Sequence, residues 1–243
     1  MLYQEYYAEV LTVLDHVMST QSEKIEQAGR IVADSVLADG LVYAFGCGHS
    51  HIIGEDLFYR AGGMAPVCAM LDSALMLHEG AVKSSCLERI SGIAKPLFER
   101  YGMTRRDVLL VVSTSGINSV PVEMAECARR EGIPVIAIVS NAYAEDRSRV
   151  PDGKRLYECA DLVIDNGVCH GDAAVAVGDS GIRVGPISTI SSCMIAQCIM
   201  TQAEEILWEK GVTPPVYVSG NLHGGMARNM QLIEKYRPRI RHL

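Results

Sequence analysis

The stretch that decides the fold is Asp107-Val108-Leu109-Leu110-Val111-Val112-Ser113-Thr114-Ser115-Gly116-Ile117-Asn118. Its first half is an unbroken β-branched and aliphatic run, the mark of a strand buried on both faces. Its second half is hydroxyl-rich and ends at a helix start, which is read over Asn118 to Glu131 with Pro121 in the first turn. Gly132 stops that helix, and Pro134 to Val139 is the next apolar run. The same alternation extends in both directions. Upstream lie strands at Leu41–Phe45 and Val67–Met70, with a helix from His51 to about Ala61 between them. A helix from about Leu87 to Tyr101 precedes the deciding strand, and residues 71–87 carry no clear period. Downstream, residues 141–160 are polar and irregular, Leu162–Ile164 is a fifth strand, and Gly185-Pro186 opens a long helix that ends near Lys210 at Gly211. Two helices are read before the first strand, over residues 3–18 and from Ser22 to Ala38.

Strands that alternate with helices specify an α/β protein. The expected architecture is a three-layer α-β-α sandwich around a five-stranded parallel sheet of order 2-1-3-4-5, a flavodoxin-like arrangement. Neither a linker nor a repeat divides the chain. Residues 1–243 are therefore read as one domain: N-terminal helices over 1–40, the αβα core over 41–211 and a tail over 212–243. Arg228, Lys235, Arg237, Arg239 and Arg241 make that tail basic, and it is expected to be solvated or to touch a second copy.

Composition narrows the function. The chain has 243 residues, is 49% hydrophobic, and sets 22 Lys and Arg against 29 Asp and Glu for a formal charge of -7. Such a balance argues against nucleic acid or an anionic membrane as the main partner. No apolar run reaches the length of about twenty residues that a spanning helix needs, and the N-terminus lacks a signal-peptide pattern. Eight cysteines without a CxxC pair are expected to be reduced thiols of a cytoplasmic protein.

Two loops carry the chemistry. The first is Gly46-Cys47-Gly48-His49-Ser50, where glycines let the backbone turn into a helix whose free N–H groups suit an anion. The second is Ser113-Thr114-Ser115-Gly116 with Asn118 and Ser119. Helix capping needs one such residue, whereas a tetrahedral oxyanion such as phosphate uses several hydroxyl donors at once. In order 2-1-3-4-5 the direction of winding reverses between the first and third strands, the two that carry these loops. A dinucleotide site fits less well, because the third glycine of G-x-G-x-x-G is replaced by His51 and only Asp72 stands as a ribose-binding acid. Cys47, His49 and His51 have the side chains of a zinc site, but alternate residues of one turn rarely converge on one ion. Neither metal nor cofactor is expected.

These segments, together with Phe58–Gly63, Leu77–Ala81, His170–Ala173 and Gly185–Thr189, resemble the SIS, or sugar isomerase, domain over nearly the whole chain. The chain is most similar to stand-alone SIS proteins of the phosphosugar isomerase type, near phosphoheptose isomerase. That resemblance implies a sugar-phosphate ligand held by Gly48, His49, Ser50, Ser113, Thr114, Ser115 and Asn118, the last standing where many members carry Thr. It also implies a homodimer or homotetramer. Phosphoheptose isomerase and the related etherase place a Glu on the helix after the first loop. Ten residues beyond Ser50 this chain has Arg60 instead.

The acid and base must then come from elsewhere. Glu79 with His78 is the leading pair, on the expectation that partial burial in its Met-Leu and Gly-Ala surroundings raises the Glu79 pKa. Glu55 is a second candidate, one turn into the helix. His170 is a third, with Asp172 expected to orient it. The expected function is aldose–ketose isomerisation of an anionic sugar. The alternatives are a sugar-phosphate-binding regulatory module, or an etherase, deaminase or sulfosugar isomerase using the same loops.

Overall fold

A computed structural model describes all residues 1–243. Five parallel strands form the sheet: β1 (Val42–Gly46), β2 (Val67–Ala69), β3 (Val108–Val112), β4 (Val135–Val139) and β5 (Leu162–Asp165). Their order is β2-β1-β3-β4-β5, the order expected. A two-stranded antiparallel hairpin, β6 (Val175–Ala176) with β7 (Arg183–Val184), adds to the expected elements.

Side-chain alternation assigns the two faces of the sheet. Val42, Ala44, Val108, Leu110, Val112, Ile136, Ile138 and Ile164 point into one core, shared with α1 (Leu2–Leu37), α2 (His51–Leu57) and α6 (Ser188–Glu209). Tyr43, Phe45, Leu109, Val111, Val135, Ala137 and Val139 point into the other. That second core takes buried side chains from α4 (Ala94–Tyr101), α5 (Ser119–Arg130) and α7 (Gly225–Tyr236). The short helix α3 (Ala81–Leu87) lies between β2 and α4 in sequence.

The two helices read before the first strand are one. α1 runs unbroken for 36 residues, about 54 Å at the usual rise. The residues expected to cap a second helix turn back on the first instead: Thr20 Oγ1 donates to His16 O at 2.8 Å, and Ser22 Oγ donates to Met18 O. Val17, Gln21, Ile25, Ala28 and Val32 continue a single buried stripe through that point. The stripe packs along α6, and at Gly29 a Cβ would lie 2.7 Å from Gln202 Cγ, so only glycine permits the approach.

The helix expected over 87–101 is two. Gly92, at φ 90°, breaks it, and the turn is pinned where Gly92 N–H donates to Glu123 of α5 at 2.8 Å. The helix expected from His51 to Ala61 stops at Leu57, since Phe58 is extended and Tyr59 has φ 47°.

The C-terminal region is not a solvated tail. Met64 bridges Val216, and α7 sends Ile233 and Tyr236 into the core, with Ile240 following. Lys235 and Arg239 pair with Asp39 at 3.4 and 3.3 Å. Arg239 also reaches Asp107 at 3.6 Å. The basic residues thus meet acids at the amino edge of the sheet. All eight cysteines are unpaired. No helix is long and apolar enough to cross a membrane.

Asp107 ties that amino edge together. It is 3% exposed. Its carboxylate accepts from Leu41 N–H at 2.7 Å, from Thr104 N–H at 2.7 Å and from Thr104 Oγ1 at 2.9 Å. Asp107→Ala leaves those donors and the Arg239 charge without their acceptor. The expected loss is about 3 kcal/mol in urea unfolding, with the free energy of Thr104→Val falling between mutant and wild type.

Candidate functional site

The site is set by pairing. β1 and β3 lie side by side with Gly46 opposite Val112. Both strands therefore end at one level, and the loops that follow them open at the same point of the carboxyl edge. In the first loop, Gly46 is required by close approach, because a Cβ there would lie 2.5 Å from the Ser50 backbone. Gly48 takes φ 57° and starts a single 3-10 turn, Gly48–Ser50, that runs into α2. His49 is exposed and Ser50 half-buried.

The second loop is more buried. Ser113 N–H donates to Ile138 O, and Ser113 Oγ accepts from Gly116 N–H at 3.3 Å, which closes the turn. Thr114 O accepts from Ser140 N–H at 2.8 Å. Of the three consecutive hydroxyls, only Ser113 is used in folding the loop. Those of Thr114 and Ser115, both half-buried, remain available as donors. Asn118 precedes α5 in extended conformation but makes no cap bond. Ser119 is fully buried and bonds the carbonyls of Arg89 and Arg149.

Two residues unremarked in the sequence complete the site. Arg149 is fixed by its backbone, whose N–H donates to Ile117 O at 2.9 Å, and its guanidinium donates to Asn118 Oδ1. It brings a cation to a loop otherwise made of neutral donors. Glu88 follows α3, and its carbonyl accepts from Val120 N–H at 3.0 Å. Burial pushes the Glu88 carboxyl above its ordinary value, against the pull of Arg89, of a hydrogen bond from Asn118 and of Arg149. Its charge is also felt at the first loop. Burial drives the Cys47 thiol well up, and Glu88 and then Asp72 add to that rise. Cys47 is thus a neutral thiol in the floor of the site, unsuited to nucleophilic attack.

The structure separates the expected acid and base candidates. His78 and Glu79 sit in the exposed turn before α3. The burial expected to raise Glu79 is absent. Hydrogen bonds from Ser73 and Lys83 hold its carboxyl below the usual range instead. Glu55 lies on α2 with its side chain about half exposed and 3.7 Å from His51 Nε2. His51 turns its other ring nitrogen to Gly48 O, so it stitches the first loop to the helix. His170 stacks on Tyr143 with centroids 4.4 Å apart, and its Nε2 is 3.1 Å from Asp146. Asp172 does not orient it. Asp172 accepts from Ile187 and Ser188 N–H at 3.0 and 2.9 Å and so caps α6. Arg60, at the position expected for the relatives' Glu, pairs with Asp56, which accepts from Gln197 of α6 at 2.7 Å. Asp72 caps the short 3-10 turn Ser73–Leu75 and faces Arg100 at 3.9 Å.

No group of three or more His, Cys, Asp or Glu side chains is placed to hold a metal ion. The largest cavity, about 490 Å³, lies on the outer surface between α1 and α6, lined by Met18, Ile25, Met194 and Gln197 among others. It includes no residue of either loop.

With this geometry in place, comparison with known proteins is informative. The SIS domain model matches residues 5–140. The chain belongs to the SIS-domain family. Within that family it stands with the UPF0309 proteins. It is 43% identical over 242 residues to one from Caldanaerobacter subterraneus subsp. tengcongensis, covering 98% of each chain. To another, from Listeria monocytogenes, it is 42% identical, covering 97% of this chain and 96% of the relative. Among solved structures, a phosphoheptose isomerase from Francisella tularensis superposes with a TM-score of 0.57 at 13% identity, over 84% of this chain and 96% of that one. The Vibrio vulnificus NanR protein complexed with ManNAc-6P gives 0.54 at 13% identity, over 99% and 70%. An Escherichia coli protein, c3406 of strain CFT073, in complex with a sugar phosphate gives 0.52 at 14%, over 84% and 89%. These likenesses establish the shared fold.

The raised Glu88 carboxyl has a thermodynamic consequence with a definite sign. A carboxyl whose folded value lies above its unfolded one contributes fully below the unfolded value and loses that contribution as pH rises through the folded one. Glu88→Gln has no such loss. The Tm of Glu88→Gln relative to wild type should therefore increase between about pH 4 and pH 8, as followed by calorimetry. A constant difference would show that Glu88 is not held up by burial.

Proposed function

We propose that this protein binds a phosphorylated sugar across the β1 and β3 loops and interconverts its aldose and ketose forms. The observation that carries the reading is the register of Gly46 with Val112, which puts a glycine-turned loop and a hydroxyl loop at one mouth. The Thr114 and Ser115 hydroxyls would donate to the phosphate, and Arg149 would supply its charge. That local supply answers the objection raised by a net charge of -7, since a few oriented donors and one cation govern the field at the loop. The sugar would extend from the phosphate toward the β1 loop, over Gly48, His49 and Ser50. Two structural neighbours are named in complex with sugar phosphates, ManNAc-6P in one of them, which supports this ligand class.

Isomerisation needs a group that moves a proton between C1 and C2 while the carbonyl oxygen is held. A half-buried acid next to the anion loop favours that reaction over binding alone. A regulatory role would leave such an acid without a task.

The reading is tested with D-arabinose 5-phosphate, ManNAc-6P and sedoheptulose 7-phosphate as probes. Calorimetric titration identifies a bound sugar, and NMR in deuterated water follows hydrogen loss at its C2. Binding of at least one probe with exchange at C2 is expected. Ser115→Ala should weaken that binding about fivefold and Arg149→Met about tenfold, the sizes of one neutral and one charge-assisted hydrogen bond. Affinity unchanged in both variants would remove the β3 loop from the ligand site.

A further inference from the structure

Glu88 is placed as no other acid in the molecule is. The end of α3 is fastened to the start of α5 by two backbone acceptors, Glu88 O to Val120 N–H and Arg89 O to Ser119 Oγ. The side chain is held between the loops: Asn118 of the β3 loop bonds its carboxyl, and Cys47 of the β1 loop lies within reach of its charge. Asn118 is itself oriented by the Arg149 guanidinium on its Oδ1, which turns its amide nitrogen toward Glu88. The charged and titratable groups facing Glu88 are Arg89 from its own segment, Arg149 from the segment after β4 and the neutral Cys47 thiol from the β1 loop.

We propose that Glu88 is the catalytic acid and base of the site, with Asn118 and Arg149 as its positioning residues. This rests on the sugar-phosphate reading above. The step is balanced within the sugar. The Glu88 carboxylate takes the C2 proton, the C–H electron pair forms the C1–C2 double bond, and O1 takes up the proton that O2 gives up. The protonated Glu88 then returns its proton to C1 as the C2 carbonyl forms. Neither oxidant nor co-reactant enters. Half-burial suits the carboxyl to the task, because an acid poised nearer neutrality both accepts and returns a proton. A bound phosphate dianion adds negative charge nearby and should raise the Glu88 midpoint by about one pH unit.

The test uses the whole protein in three readings. Glutamate labelled with carbon-13 at the carboxyl follows Glu88 by NMR, assigned by its loss in Glu88→Gln, with and without inorganic phosphate. The same probe sugars then measure affinity and C2 exchange in wild type, Glu88→Gln and Glu88→Asp. The expected result is a Glu88 midpoint that rises with phosphate, and binding in Glu88→Gln within about threefold of wild type. Exchange should fall at least about a hundredfold in that variant and return in part in Glu88→Asp, with the acid limb of its pH profile displaced. Full exchange in Glu88→Gln, or sugar binding by wild type with no exchange, would overturn the assignment of Glu88 and leave the binding site standing. Failure of wild type to bind any probe would overturn the sugar-phosphate reading itself.

Discussion

The parallel pairing of β1 with β3 is the constraint on which the rest of this structure depends. Gly46 and Val112 sit opposite one another, so two segments far apart in the chain reach the carboxyl edge together. Ligands in open α/β sheets bind at such a reversal because the adjoining connections depart to opposite faces and leave a crevice. Here α2 leaves to the face covered by α1 and α6, and α5 leaves to the other. The crevice is lined by one loop from each side. Asp107 fixes the opposite end of the same two strands by accepting from Leu41 and Thr104, which makes the register hard to slip.

Much of this was legible in the sequence for a physical reason. A parallel strand must be apolar on both faces, so Val108–Val112 and Val135–Val139 announce themselves without a period. Hydroxyls crowded at a strand end also stand out, because a packed core has no use for them. Elements decided by distant packing were not legible. Thr20 and Ser22 look like a cap, but bonding back to the preceding turn lets one helix continue, and the partner that rewards continuation is α6. The C-terminal basic residues read as solvated because their acids, Asp39 and Asp107, are far away in the chain.

The same limit governs the site. Ser113, Thr114, Ser115 and Asn118 could be found because they are neighbours in sequence. Glu88 and Arg149 could not, since each lies in a segment without a period and is brought in by single backbone bonds to the start of α5 and to Ile117. Glu79 attracted attention through its apolar surroundings in sequence, yet the turn before α3 exposes it. A carboxyl acquires catalytic character from burial and from its neighbours in space. That is why Glu88, whose sequence context is ordinary, carries the raised carboxyl, and why its substitution should stabilise the fold that it serves.

The central claim is that the two loops and Glu88 form one site. The most direct measurement is a crystal structure of the protein soaked with whichever of ManNAc-6P, D-arabinose 5-phosphate or sedoheptulose 7-phosphate binds in solution. The account predicts the phosphate within hydrogen-bonding distance of the Thr114 and Ser115 hydroxyls, with C1 and C2 of the sugar beside the Glu88 carboxyl. A phosphate seated elsewhere, such as in the groove between α1 and α6, or a sugar turned away from Glu88, would contradict it.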